Sequence, residues 1–547
     1  MHYLSKSKLF ALLTTHFCLF TAYSQDILWE KSYGGSHAEY LFDAIPTPDY
    51  GFILAGSSIS GKSGNKSDES KGSFDYWVWK MNERGDLDWQ KSFGGSGEDH
   101  LQSIQLTSDG GFILAGISDS PKSGDKKEGC RGQSDFWILK LDAKGNELWQ
   151  RTIGGNGLEK LFSIAPTKDG GYIIGGTSSS DKSPLDTKMK EDKYGKAEAC
   201  QGNLDYWIVK LNASGIIEWQ KTLGGTYADE LKSIEQTKDG GYIVGGSSNS
   251  PKSGDKITDS FGARDFWIVK LDAAGNQQWQ KCIGGNLDDN LFALTQTLDG
   301  GFIAGGNSNS EATNSKTKAN GKGSDFWVLK LDDQGVITWQ ETYDFGKLDI
   351  LTSIVENNDG TYLIGGYAQS ERSPIEKGGL LGKMVSSDKE GINDYIALKI
   401  NDKGEEVWSK SVGSKGEEVM CKLFETRDGG YVLAGTSTGG ASRDKNSGNG
   451  SSDFWVVKLK DKAKKEKAKQ LLEAVPNPAF AYTNAIVNFE YDNGKARLFD
   501  LNGRILQTIE LTGERTIPVE LGNLPQGVYI INVETNKGEQ SVKIIKN

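Results

Sequence analysis

Cysteine is scarce in this sequence, with five residues in a chain of 547. Four of them follow the N-terminal segment, which is too few for a disulfide-bonded scaffold in a domain of this size. Cys130 and Cys200 each stand five residues before a repeated aspartate. A disulfide between these two neighbouring loops is one alternative, and two free thiols are the other. The spacing of the cysteines matches no zinc-binding pattern.

Basic residues are too few to give the chain a basic face. The net charge is −11 and the isoelectric point is near 5.2. Proteins that recognise nucleic acids depend on a positively charged surface. The acidic balance therefore argues against a nucleic-acid partner.

The sequence motifs of common enzymes are missing as well. After the first 24 residues the chain has two histidines, His37 and His100, and neither is near a repeated nucleophile. There is no nucleophile elbow, metalloprotease helix or glycine-rich phosphate loop. We assign no catalytic residue. Acidic residues are plentiful, however, so an extracellular polysaccharide hydrolase or lyase with paired carboxylates stays open as an alternative.

Long apolar runs are limited to the N-terminus. Lys6 and Lys8 precede an apolar run over residues 9–22, and a small-residue cleavage site follows at Ala22-Tyr23-Ser24. This pattern predicts a secretory signal peptide over residues 1–24. No later stretch has the roughly 20 apolar residues that cross a bilayer, so we expect no transmembrane segment.

What the sequence does have is a repeat. An Asp-aromatic-Trp triplet, followed by apolar residues and a lysine, recurs seven times, with isoleucine replacing tryptophan in the sixth copy. The aspartates are Asp75, Asp135, Asp205, Asp265, Asp325, Asp394 and Asp453; the lysines are Lys80, Lys140, Lys210, Lys270, Lys330, Lys399 and Lys458. A repeat array decides the fold before any single residue does.

Each repeat is predicted to form four strands, which we call a, b, c and d. In the copy from Leu101 to Gln150, alternating residues and aromatic or branched residues mark the strands. Asp109-Gly110 predicts a two-residue hairpin between a and b, because both central positions of that turn favour positive φ. Four-stranded antiparallel meanders at this period are typical of the blades of a β-propeller.

The seventh repeat lacks its d strand, and the N-terminus supplies one. Residues 28–35 match residues 148–155, the d strand of the second repeat, yet they precede the first a strand. We therefore predict an all-β protein with a seven-bladed β-propeller over residues 25–459. Its N-terminal strand is expected to complete the last blade and so remove the open sheet edge.

The loop lengths of the repeat distinguish two faces. In a meander the a–b and c–d turns lie on one face, and the b–c loops and d–a links lie on the other. The a–b and c–d turns are short, whereas the b–c loops run 17 to 28 residues. We expect any binding surface on the long-loop face.

The 14 tryptophans invite a carbohydrate-stacking interpretation. All but Trp79 hold a fixed register in the c or d strands of the repeat. Aromatic residues in such a register supply large buried areas between strands. We therefore assign them to the core.

One acidic residue stands just before each a strand. The seven are Glu39, Asp99, Glu159, Asp229, Asp289, Asp349 and Glu418. In a propeller they would form a ring around the channel mouth on the long-loop face, with neighbours ~8 Å apart and roughly 2 kcal/mol of repulsion per pair. One alternative is structural pairing, with amides of the Gly-Gly link or with a d-strand base. The other is a bound cation, with Ca²⁺ favoured by oxygen-only ligands.

After residue 459 the pattern changes. Residues 460–474 are rich in lysine and predict a linker, and residues 475–547 alternate as six short strands, which predicts a small β-sandwich. Four motifs occur there in order, and their main residues are Pro476, Asn477, Pro478, Asp500, Asn502, Gly503, Arg504, Pro525, Gly527 and Tyr529. Together the motifs resemble the type A sorting domain of the bacterial type IX secretion system. The resemblance implies export by that outer-membrane machinery, with the product released or held at the cell surface.

The repeats resemble, more loosely, the β-propeller repeats of secreted bacterial proteins, and that likeness does not indicate a ligand. We expect a secreted or surface-displayed protein whose propeller is a non-catalytic binding module for a glycan or a protein.

Overall fold

A computed structural model describes residues 25–183, 194–321, 323–369, 393–462, 464 and 469–547. Every regular element in those residues is a β-strand. No helix long and apolar enough to span a membrane is found in this part of the chain. The predicted signal peptide, residues 1–24, lies outside the described residues.

The repeats form seven four-stranded antiparallel sheets. After β1 (Asp26–Tyr33), sheet 1 consists of β2 (Glu39–Pro46), β3 (Phe52–Ser58), β4 (Asp75–Met81) and β5 (Leu87–Phe93); sheet 2 of β6 (Asp99–Leu106), β7 (Phe112–Ser118), β8 (Asp135–Leu141) and β9 (Glu147–Ile153); sheet 3 of β10 (Glu159–Pro166), β11 (Tyr172–Ser178), β12 (Asp205–Leu211) and β13 (Ile217–Leu223).

Sheet 4 consists of β14 (Asp229–Gln236), β15 (Tyr242–Ser248), β16 (Asp265–Leu271) and β17 (Gln277–Ile283); sheet 5 of β18 (Asp289–Gln296), β19 (Phe302–Ser308), β20 (Asp325–Leu331) and β21 (Ile337–Tyr343); sheet 6 of β22 (Leu348–Glu356), β23 (Tyr362–Gln369), β24 (Asn393–Ile400) and β25 (Glu406–Val412); sheet 7 of β26 (Glu418–Glu425), β27 (Tyr431–Ser437), β28 (Asp453–Lys460) and β1. The strand order within each sheet is a, b, c, d, as the repeat predicts.

The N-terminal strand occupies the place predicted for it. Strand β1 lies antiparallel to β28, with Asp26 opposite Lys460 and Tyr33 opposite Phe454. It is therefore the d strand of sheet 7, and the two ends of the repeat region share one sheet.

Aromatic residues of the c strands pack successive sheets together. Trp207 is fully buried and its ring lies 4.9 Å from that of Phe136 in the preceding sheet. The same pairing joins sheet 7 to sheet 1, where the rings of Phe454 and Trp77 are 4.7 Å apart. Sheet 1 thus packs against sheet 7 as well as sheet 2. The prediction that the c-strand tryptophans are core residues is confirmed.

The d-strand tryptophans are less buried and pack outward of this layer. Each contacts a b-strand aromatic residue of the next sheet, as Trp149 does with Tyr172 at 6.0 Å between ring centroids. Trp29 of β1 makes the equivalent contact with Phe52 of sheet 1. Neighbouring sheets are therefore held together by two sets of aromatic contacts, one at the c strands and one at the d strands.

The a–b turns differ from the predicted two-residue hairpin. The Thr107 amide donates to the Gly111 carbonyl and the Gly110 amide donates to the Thr107 carbonyl, so three residues form the loop. Gly110 has a φ of 82° and Asp109 has no positive φ. The prediction is wrong because the Asp109 carboxylate accepts bonds from the Thr107 hydroxyl and the Gly111 amide, which builds a type I turn followed by a left-handed glycine.

The C-terminal region forms two sheets that share one core. The first contains β29 (Leu472–Val475), β30 (Tyr482–Val487) and β33 (Thr516–Glu520), and the second contains β31 (Gly494–Phe499), β32 (Ile505–Leu511), β34 (Gly527–Thr535) and β35 (Gly538–Lys546). Three of the four residues of β29 fall in the predicted linker, residues 460–474, and the fourth, Val475, is the first residue of the predicted sandwich. Its residues Leu472 and Ala474 are buried in this core, and the strand pairs antiparallel with β30.

This C-terminal module rests on the short turns of sheets 1 and 7. Glu83 pairs with Arg515 at 2.5 Å and with Lys469 at 2.6 Å. Glu473 accepts hydrogen bonds from Tyr50 and Arg427, both at 2.7 Å. These contacts place the module against the short-turn face at sheets 1 and 7.

Candidate functional site

The d–a links and the b–c loops meet on one face, as predicted. The Ser96 amide of one link donates to the Ser123 hydroxyl of the following b–c loop, and the Asp125 amide of that loop donates back to the Gly94 carbonyl. The link and the loop therefore form one hydrogen-bonded unit at this sheet boundary, and the same bonds recur at other boundaries where the loop is described. We refer to this unit as a junction.

The seven acids that precede the a strands are fully buried in these junctions. Asp99 accepts the Gly95 amide at 2.7 Å and the Ser120 hydroxyl at 3.0 Å. The amide four residues earlier donates in the same way to Glu39, Asp99, Glu159, Asp229, Asp289, Asp349 and Glu418. These contacts match the alternative in which the acids have a structural role and pair with amides of the link. Cation binding by the ring as a whole stays a prediction.

The d-strand bases do not serve as the partners of these acids in the junctions where their contacts are described. Lys31 pairs with Asp86 at 2.8 Å, in the c–d turn of the next sheet. Arg151 donates to the backbone carbonyls of Ser214 and Gly215, again in the next c–d turn. Lys31 and Arg151 therefore join neighbouring sheets on the opposite face, whereas Lys221 pairs with Glu198 of the b–c loop in its own sheet at 3.5 Å.

Burial shifts the titration of several of these acids. Removal from water raises the pKa of Asp99, Glu159 and Glu418, although the serine and amide hydrogen bonds oppose the shift. At Asp349, burial is again the largest cause and the neighbouring carboxylates of Asp325 and Asp344 add to it, so its pKa is raised to about 7.

A second buried acid, the repeated aspartate of the c strand, lies beside each of the first. Asp265 accepts the Phe261 amide at 2.6 Å through Oδ2, while its Oδ1 has no hydrogen-bond partner among the described residues. Gly284 of the next link packs directly on that oxygen, and a Cβ there would lie 1.8 Å from it. The first glycine of the link is thus required by close packing rather than by its φ.

Sequence reasoning missed a buried lysine in the b–c loops. Lys256 is almost fully buried and its ammonium donates to the Ser250 carbonyl and the Ser260 hydroxyl. The equivalent residues are Lys66, Lys126, Lys196, Lys256, Lys316 and Lys445. A spacing of six residues after a loop serine, seen in the first, second, fourth and fifth repeats, is the signal that could have found them.

The repeated lysine that ends the c strand pairs with the aspartate of the a–b turn. Distances are 2.8 to 3.4 Å for Lys80–Asp49, Lys140–Asp109, Lys210–Asp169, Lys270–Asp239, Lys330–Asp299 and Lys399–Asp359, and Lys458 bonds Asp428 as well. Burial would raise the pKa of Asp299, but its bonds from Thr297 and Lys330 outweigh it and lower the pKa to about 2. These ion pairs hold the a–b turns against the c strands, and we assign them a structural role.

Cys130 and Cys200 are free thiols. The Cys130 thiol donates to the Gly132 carbonyl, and the Cys200 sulfur contacts the Ser178 carbonyl and the Lys196 ammonium. Each cysteine thus bonds within its own repeat rather than across to the neighbouring loop. Burial and the nearby Asp135 raise the pKa of the Cys130 thiol to about 12, which leaves it a poor nucleophile.

Four large apolar side chains on the long-loop face depart from the repeat. They are Tyr227, Ile257, Phe261 and Leu287, and each is 45 to 55% exposed. Ile257 and Phe261 belong to the b–c loop of sheet 4. The links on either side contact that loop, since the Tyr227 amide donates to Ser250 and the Leu287 carbonyl accepts the Ala263 amide. We call the four exposed residues the apolar patch.

The other repeats have small, polar or basic residues at most of these positions. The residue equivalent to Phe261 is lysine, arginine, glutamine, glycine, glutamate or asparagine in the other six repeats. The residues equivalent to Tyr227 and Leu287 in the other five links are glycine, histidine or lysine. Residues that keep the repeat register serve the fold. Exposed apolar residues that break it have no packing role to explain them, so the apolar patch is the candidate functional site.

The C-terminal motif residues hold the turns of the small module. Asn477 bonds both the Lys543 carbonyl and the Ile545 amide, and Tyr529 donates to the Pro525 carbonyl. Asp500 accepts the amides of Asn502 and Arg504, both at 2.9 Å. Arg504 is largely exposed and pairs with Asp500 at 3.3 Å.

Comparison with known proteins identifies this module. Residues 474–547 match the family described as a secretion system C-terminal sorting domain. The resemblance to a type IX sorting domain is therefore confirmed. The domain indicates interaction with that secretion machinery and export through the outer membrane, to the cell surface or the surroundings.

Similarity to a curated relative is distant and partial. A 169-residue stretch is 24% identical to the regulatory protein FlaEY of Caulobacter vibrioides, which is 30% of this chain and 17% of that protein. The chain thus matches less than a fifth of that relative's length.

Solved structures show likeness in fold only. YCF48 bound to D1 peptide is similar over 78% of this chain and 94% of that chain, with 6% identity and a TM-score of 0.37. A protein of unknown function from Dyadobacter fermentans is similar over 80% of this chain and 98% of that chain, with 9% identity and a TM-score of 0.36.

Proposed function

We propose that this exported protein is a non-catalytic binding module whose seven sheets form a closed seven-bladed β-propeller. The packing of sheet 1 on sheet 7 and the sharing of sheet 7 by both ends of the repeat region support closure. In a closed ring the sheet edges are the short inner and outer strands of each blade. The sorting domain contacts the short-turn face at sheets 1 and 7, and we place the binding surface on the opposite, long-loop face.

The apolar patch is the observation that carries the binding function. Tyrosine and phenylalanine are enriched among the residues that dominate binding energy at interfaces. Ile257 and Leu287 add aliphatic area that offers no hydrogen bond, which suits a protein surface better than a sugar ring. The ligand class that the patch fits best is therefore an extracellular protein, and a glycan is the second outcome of the test below.

The acids of the junctions support binding over cleavage. Glycoside hydrolysis needs two carboxyl groups that face the sugar from either side. The repeated acids are buried beneath the junctions and hold backbone amides, so they do not reach a polysaccharide on the surface.

The test compares two double variants of the mature chain, residues 25–547. Tyr227→Ser with Phe261→Ser removes the aromatic half of the apolar patch. Leu148→Ser with Leu298→Ser removes equally exposed apolar residues elsewhere on the molecule. Each protein is passed over a glycan array and over cell-surface proteins separated from glycans. We expect the first variant to lose at least about tenfold in retention on the protein ligand, and the second to keep it.

Two results would overturn the proposal. Equal retention by both variants would show that the patch is not the binding surface. New reducing ends, released from a polysaccharide by the unaltered chain, would establish catalysis instead.

A further inference from the structure

The junction between sheets 5 and 6 differs from the other six. Its link begins with Asp344-Phe345, where five links have Gly-Gly and one has Gly-Ser. Sheet 6 also carries Ile396 in place of the c-strand tryptophan. The Phe345 ring packs on Phe326 with 5.4 Å between centroids, in the place that the missing indole has at other boundaries. Phe345 therefore explains how this boundary stays packed, but it does not explain Asp344.

Asp344 brings a third carboxylate to a pair of buried ones. At the other six junctions, a Cβ on the first link residue would lie 1.8 to 2.2 Å from Oδ1 of the c-strand aspartate. At this junction the first link residue does carry a side chain. One carboxylate oxygen each from Asp325, Asp344 and Asp349 lies within 4.8 Å of the other two. We call these three residues the carboxylate triad.

The two buried members of the triad each have an oxygen left over. Asp325 Oδ2 accepts the Gly321 amide at 2.7 Å and Asp349 Oδ2 accepts the Phe345 amide at 2.6 Å. Both residues are fully buried, and both Oδ1 atoms lack a hydrogen-bond partner among the described residues. An unpaired buried carboxylate oxygen is costly, and a cation beside it would satisfy it.

Among the described residues, Lys316 is the one basic group that acts on the buried members of the triad. The Lys316 ammonium, which attracts Asp325, is directed at the Ser308 hydroxyl at 2.8 Å and at Asn320. Lys316 also lies near Asp289 of the same sheet, so its charge is shared. Among the described residues, this junction thus holds one carboxylate more than the Gly-containing junctions.

We infer that the carboxylate triad is a calcium site. Calcium binds oxygen ligands at about 2.3–2.6 Å, so oxygens on opposite sides of one ion are separated by roughly the spread that the triad shows. Zinc would favour nitrogen or sulfur ligands, and magnesium demands a stricter octahedron. The exposed Asp344 gives the ion a route from solvent, and water and backbone carbonyls would complete the shell. This inference is independent of the apolar patch.

The test measures calcium binding to the mature chain by calorimetric titration and by melting in calcium chloride, with magnesium chloride for comparison. We expect one calcium per chain and a melting temperature about 2 °C higher in roughly 10 mM calcium. Magnesium should give a smaller shift. Asp344→Gly restores the residue that six junctions have, so it should fold normally and lose the calcium shift.

Two further variants make the result decisive. Asp344→Asn removes the charge but keeps the side-chain shape, and we expect it to lose at least about tenfold in calcium affinity. Asp333→Asn removes one exposed charge from the c–d turn of the same sheet 5 and should leave the affinity unchanged. The inference is overturned if the unaltered chain takes up no calcium, or if Asp344→Gly binds it as tightly.

Discussion

Deletion of residues 25–33 is expected to unfold or aggregate the repeat region, although it removes only one strand of 28. Tyr33 of β1 is buried in the core between sheets 7 and 1. The Tyr33 ring lies 4.6 Å from the Trp79 ring, and the Tyr33 hydroxyl donates to the Gly85 carbonyl. Without β1, the whole edge of β28 is unpaired. Burial of one such side chain contributes about 1.5–3 kcal/mol, and an open edge invites pairing with other chains.

The measurement is a thermal melt combined with size-exclusion chromatography. We expect the melting temperature to fall by about 10 °C or more, with a soluble-aggregate peak. Leu28→Ser is the matched control, because this β1 side chain is half exposed and the strand itself is kept. A deletion variant that melts like the full chain would mean that β1 contributes little to the repeat region.

Trp207→Ala is expected to destabilise the protein by about 3–5 kcal/mol, the cost of a large buried aromatic cavity. The Trp207 ring is sandwiched at the boundary of sheets 2 and 3, and its indole nitrogen donates to Gln220 at 3.0 Å. The substitution leaves a void that backbone strands on both sides cannot close. Urea unfolding followed by far-ultraviolet circular dichroism measures the change.

Trp219→Ala in the d strand of the same sheet is the comparison, since this tryptophan is only partly buried. It should cost clearly less than Trp207→Ala. Equal costs would contradict the assignment of the c-strand tryptophans as the inner packing layer. The sixth repeat has Ile396 at the position of Trp207, and there the Phe345 ring packs on Phe326 in place of the missing indole.

Much of the fold was predictable because the same four-strand pattern recurs in all seven repeats. The match between residues 28–35 and 148–155 was enough to place β1 beside β28, a contact between the two ends of the repeat region. The a–b turn was predicted wrongly from Asp109-Gly110 alone. Its geometry depends on the Thr107 hydroxyl and on Lys140, which arrives from another strand.

The site was less predictable, for a physical reason. The acids before the a strands were found from their spacing, but spacing does not show where a side chain points. Each carboxylate accepts a hydrogen bond from the amide four residues earlier, which holds the carboxylate in the buried junction. The carboxylate triad joins sheet 5, a link and sheet 6, and only the packing of neighbouring sheets brings those residues together.

The most direct test of the central claim, that β1 completes sheet 7, is a disulfide between the two strands. Asp26→Cys with Lys460→Cys places thiols on residues that are direct partners across β1 and β28. Asp26→Cys with Glu425→Cys is the control, because β26 lies three strands from β1, or about 14 Å away. After mild oxidation and proteolysis, mass spectrometry should find the linked peptide within one chain for the first pair only. Linkage no greater than in the control pair, or linkage only between chains, would contradict it.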